Sequence, residues 1–136
     1  MCLRISSHTG ISIAKKDIVC CKVVKADKTR FIFWKYWIAY FRKTRHRYNK
    51  VLVACNHLRP CIQWINNCSL VINKGFHALQ TLEPLKEEYD DCRYAIIPKG
   101  AEYCTGKDGD IVANKMIVFS NKKKYEKYVS ISERKN

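Results

Sequence analysis

The sequence predicts an α+β domain on a mainly antiparallel sheet, with one or two short helices. Three observations predict it. Short β-branched and aromatic runs outnumber helical patterns along the chain. Turn clusters separate those runs, among them Lys25–Lys28, Pro98–Gly100 and Lys107–Asp110. At 136 residues and 47% hydrophobic, the chain is long enough to bury one core without staples.

The elements follow in order. Asp17–Val24 is rich in Ile and Val and reads as a strand. Arg30–Phe33 reads as its returning partner across a polar turn. Residues 34–48 fit two patterns. Trp34, Trp37, Ile38 and Phe41 recur at helical spacing, whereas the density of aromatic residues argues for a strand. Lys50–Cys55 and Ser69–Asn73 read as strands, and Cys61–Asn66 as a strand or one helical turn. Thr81 is a candidate N-cap for a helix over Leu82–Tyr89, with Glu83 and Pro84 in its first turn. Arg93–Ile97, Ala101–Cys104 and Ile111–Phe119 complete the sheet. The reading sets a compact domain at residues 1–119 and a polar, mobile tail at 120–136.

Charge is the strongest functional signal. The net charge of +14 is concentrated in the middle of the chain. Between Lys28 and Leu82 there are ten Lys and Arg and no Asp or Glu, and seven of the eleven residues from Phe31 to Phe41 are aromatic. A cationic surface with flat rings is what holds a nucleic acid or nucleotide: phosphates pair with the cations and bases stack on the rings. Lys35, Arg42, Lys43, Arg45, Arg47 and Lys50 would supply the charge, and Tyr36 and Tyr40 stacking faces. Trp34, Trp37 and Phe41 are better read as core. The same patch would suit a protein-interaction module that inhibits or adapts an acidic host protein.

Other chemistry is weaker. Cys55, His57, Cys61 and Cys68 lie close together, but their spacing matches paired zinc ligands only at the first two steps, and no metal or cofactor is expected. No Cys or His sits in a nucleophile signature, and the five glycines form no phosphate loop, which favours binding over catalysis. The start of the chain has no apolar leader, so a cytoplasmic setting with free thiols is expected. The Phe31–Phe41 run is too short to span a membrane.

Three stretches carry a resemblance: Asp17–Val24, Asn73–Ala78, and Ile97–Tyr103 with Gly109–Ile117. Together they resemble an uncharacterised family of small proteins from gut bacteria and their phages, in which a Gly-Phe-His element precedes a short helix and an Ile-Pro-Lys-Gly turn opens the last strands. The resemblance implies an intracellular, phage-linked setting and no catalytic activity. Within it His77, with Tyr103 and Asp110, is the candidate lining of a pocket. A minority reading is similarity to ADP-ribosyl-transfer domains, which also end in short antiparallel strands with an acidic residue.

Overall fold

The computed structural model describes residues 3–5, 11–25, 36–39, 45–59, 61–63, 69–72, 75–87, 91–106 and 109–134. Thirteen short strands and two helices fill them. The strands are β1 (Leu3–Ile5), β2 (Ser12–Ile13), β3 (Ile18–Lys25), β4 (Tyr36–Ala39), β5 (Arg45–Arg47), β6 (Leu52–Val53), β7 (Cys61–Gln63), β8 (Ser69–Ile72), β9 (Phe76–Leu79), β10 (Cys92–Ile97), β11 (Glu102–Thr105), β12 (Asp110–Ala113) and β13 (Lys115–Val118). The helices are α1 (Glu83–Lys86) and α2 (Lys122–Arg134). The described strand pairings are all antiparallel. The fold is therefore α+β on an antiparallel sheet, as the sequence predicts.

The main sheet runs β2-β11-β12-β9-β3-β10-β13-β6. One residue, Asn114, separates β12 from β13. β12 borders β9, β13 borders β10, and both β9 and β10 border β3. The hydrogen-bonded path β12-β9-β3-β10-β13 thus returns to the stretch of chain it left, closing a small barrel. The sequence reads Ile111–Phe119 as one strand. The chain bends at Asn114 so that its two halves can take different neighbours.

Side-chain alternation sorts the residues. Facing inward are Cys20 and Val24 of β3, Phe76 and Ala78 of β9, Ala95 and Ile97 of β10, and Ile111, Ala113, Met116 and Val118 along the bent strand. Many are small, as a narrow barrel filled by its own side chains requires. On the outer face Ile96, Ile117 and Phe119 form a second cluster under α2, with Tyr125, Tyr128 and Val129 packed on it. Leu58, Cys104 and Val112 form a third, beneath the loop after β6. Gly75 makes that approach possible: a Cβ there would stand 2.7 Å from Val112 Cγ2 and 3.1 Å from Leu58 Cδ2.

Two expectations change. Residues 122–134, expected as a mobile tail, are helical, because Tyr125, Tyr128 and Val129 recur at helical spacing and meet the outer cluster. Asn121 caps the helix, its Oδ1 accepting the Lys124 N–H at 2.9 Å. The helix expected over residues 82–89 is described only as α1, with Leu82 at the N-cap, while Thr81 Oγ1 accepts the Glu83 N–H at 3.3 Å. Phe76–His77 precede α1, as expected, and lie in β9. The strand expected at Arg30–Phe33 lies outside the described residues. Among the described residues no helix is long and apolar enough to cross a membrane.

Candidate nucleic-acid interface

The basic–aromatic middle of the chain includes a two-stranded ribbon. β4 pairs with β5, placing Tyr36 opposite Arg47, Trp37 opposite His46 and Ile38 opposite Arg45. The ribbon joins the barrel at the end of β3, through Val24 opposite Ala39 and Lys25 opposite Ile38. Tyr36–Ala39 and Arg45–Arg47 therefore resolve as strand. Helical spacing loses because β3 offers an open edge there, and pairing satisfies the backbone groups of both partners. Lys35, Tyr40, Arg42 and Lys43 lie outside the described residues; Tyr36 and Arg45 are placed through their backbone.

The base of the ribbon is fastened residue by residue. His46 sets its ring edge-on to Phe76, with centroids 5.7 Å apart and planes at 82°. Tyr48 packs on the barrel core. Its phenol bonds the Arg93 guanidinium; burial pushes that phenol's pKa up, and Arg93 pulls against the rise. Asn49 takes a left-handed conformation at φ 62°, which Asn tolerates better than most residues. Its N–H donates to the Val118 carbonyl at 2.8 Å. Its side chain donates to Ser120 Oγ at 3.1 Å and accepts the Ser120 N–H at 3.1 Å. Arg47 and Lys50 flank these anchors and are exposed. The two cations stand on a backbone that is held on both sides, so less ordering entropy is lost when they meet an anion.

More positive charge lies inside the barrel. Lys22, on the inward-facing row with Cys20 and Val24, is 7% exposed. Its Nζ donates to the backbone carbonyl of His77. Arg93 stands directly across from it on β10. A Lys in an otherwise apolar strand is the only sequence signal of this, and period-2 alternation assigns it inward.

Of the proposed pocket residues, two share a face and the third does not. His77 is opposite Val112 and Asp110 opposite Leu79, so both occupy the outer face of the β9–β12 pair. Tyr103, opposite Ala113, packs on the inner core. The Asp110 carbonyl is used structurally, accepting from the Gly106 N–H at 2.8 Å and from Gln80 Nε2 at 3.1 Å.

A second polar constellation surrounds the bend. His57 Nδ1 lies 2.6 Å from Glu102 Oε2, and the Leu58 N–H donates to Glu102 Oε1 at 2.9 Å. These contacts, the His57 bond first, hold the Glu102 carboxyl below its ordinary pKa. The imidazole is 72% exposed. Asn114 completes the network: its Oδ1 accepts the Glu102 N–H and its Nδ2 donates to the Asn56 carbonyl, both at 2.9 Å. Three of these four contacts reach residues 56–58, so the network fastens that loop to the barrel. Of the four candidate zinc ligands, Cys55 packs beside Leu58 and Cys104, and His57 is engaged by Glu102. The side chains of Cys61 and Cys68 lie outside the described residues. Among the described residues no group of three His, Cys, Asp or Glu is arranged to hold a metal ion. The Cys20 and Cys21 thiols are pushed up to about 12 by burial, which makes them poor nucleophiles.

No protein-family model matches the sequence, and no curated protein or solved structure matches it.

Proposed function

We propose that the protein binds nucleic acid through the β4–β5 ribbon and the turn that follows it. The observation that carries this is the anchored turn: Arg47 and Lys50 are exposed on either side of Tyr48 and Asn49, which are fixed to the barrel and to Ser120. Fixed exposed cations beside aromatic positions suit phosphates and stacked bases together. An acidic protein would need the charges alone, and a mononucleotide would need few of them. The setting that accompanies this reading is the cytoplasm, with the phage link that the sequence resemblance implies.

The test is fluorescence anisotropy of a labelled single-stranded oligonucleotide across a salt series. Binding should weaken linearly on a log–log plot, with a slope of about −0.7 per phosphate neutralised. Arg45→Ala and Arg47→Ala together should make the slope shallower by about 1.4, two contacts at that value. Affinity that stays flat with salt, or is indifferent to both changes, would sink the reading.

A further inference from the structure

We infer that the lysines opening α2 form the second half of the same surface, and that the partner is a single strand several nucleotides long rather than a nucleotide. This rests on the nucleic-acid reading above. Lys122, Lys123, Lys124 and Lys127 are exposed, four cations within six residues. One carboxylate answers them on the helix, Glu126, 3.9 Å from Lys122 in a solvent-exposed pair that is worth little.

Two observations tie these lysines to the ribbon. Asn49 bonds Ser120 in both directions and the Val118 carbonyl as well, so the turn carrying Arg47 and Lys50 is held against the chain just before α2. Lys122 and Lys123 follow Ser120 by two and three residues. The helix is in turn fixed: Tyr125 stacks on Tyr94 with centroids 4.4 Å apart, and the Tyr128 hydroxyl donates to Asp17 Oδ2 at 3.3 Å. The cations thus stand on two elements locked together at one point.

Folding does not explain the run. The first turn of α2 carries no acidic residue, and cations there oppose the helix dipole. Packing uses Tyr125, Tyr128 and Val129 instead. A strip of cations that passes from a ribbon to a helix suits a flexible single strand, whose phosphates can follow the change of direction. A mononucleotide would engage one end of it only.

The test uses the full chain and labelled oligothymidylate, one probe long and one of two nucleotides. Lys122→Gln, Lys123→Gln and Lys124→Gln are combined, since Gln keeps helix propensity and circular dichroism confirms the helix. A control combines Lys15→Gln, Lys16→Gln and Lys86→Gln, which removes the same charge from other exposed positions. For the long probe, the α2 variant should have a salt slope shallower by about 2 and bind about 100-fold more weakly at 0.1 M salt. The short probe should change little, and the control should lose far less than the α2 variant. Equal losses in the two variants, or an unchanged α2 variant in a protein still sensitive to Arg47→Ala, would overturn the inference alone. Absent binding by the unaltered protein would overturn the nucleic-acid reading with it. Equally tight binding of polyglutamate would overturn both in favour of an acidic protein.

Discussion

Replacing Asn114 by Ala should be among the most damaging single changes to this fold. Asn114 is 3% exposed at the bend between β12 and β13. Its backbone still bonds there, the N–H to the Glu102 carbonyl at 3.0 Å and the carbonyl from the Ala54 N–H at 2.8 Å. Its side chain satisfies two further groups, the Glu102 N–H and the Asn56 carbonyl. Alanine keeps the backbone bonds and orphans both of the others. A buried donor or acceptor left without a partner costs about 1–3 kcal/mol. Asn56 is exposed, so water can reach its carbonyl and the cost falls mainly on the Glu102 N–H. The expected loss is about 2–3 kcal/mol. At about 2.1 cal/mol/K per residue, 136 residues give an unfolding entropy of about 0.29 kcal/mol/K, so Tm should fall by about 7–10 °C. Urea denaturation followed by tryptophan fluorescence would read the loss as a lower midpoint at unchanged slope. A loss below about 0.5 kcal/mol would refute the view that Asn114 is what permits one strand to serve two neighbours.

Two further outcomes test the elements around this frame. The Glu102 carboxyl is held below its ordinary pKa, so it binds fewer protons folded than unfolded, and its stabilisation is present above the unfolded pKa and lost as pH falls through the folded one. Glu102→Gln should therefore flatten the acid limb of a stability–pH profile below about pH 4.5, the ordinary value; a parallel shift at all pH values would contradict the assignment. Tyr125→Ala removes the stack on Tyr94 and the edge contact with Phe119, whose centroid is 5.7 Å away. It should cost about 1–2 kcal/mol and lower amide-exchange protection along α2 first, whereas protection that does not change would mean that the helix does not depend on this packing.

What the sequence disclosed depended on whether a signal was local. Ile18–Lys25 and Cys92–Ile97 were legible because apolar runs between turn residues need no tertiary information to be read as strands. The bend at Asn114 was not. Asp110–Phe119 is apolar at seven of ten positions, and the reason to break it lies in β9 and β10, which are distant in sequence. Residues 34–48 carried two periods at once, and only the edge of β3 decides between them. α2 is not legible because its half-buried stripe is three residues in a polar segment, too thin to register until Phe119 and Tyr94 are seen beneath it.

The candidate surface divides along the same line. Arg47 and Lys50 are visible as charge in the sequence, and charge alone is compatible with any solvated face. Their neighbours set them apart: His46 and Tyr48 turn inward where the two cations turn outward, and Asn49 accepts a left-handed backbone to reach Ser120. A merely solubilising charge needs no such fastening, since long cationic side chains stay hydrated on a mobile loop. Fastening the backbone between two cations lowers the entropy lost when they bind, and that benefit exists only if something binds them. The placing of the anchors His46, Tyr48 and Asn49 around and between the two cations is therefore a stronger pointer to an anionic partner than the net charge of +14 is.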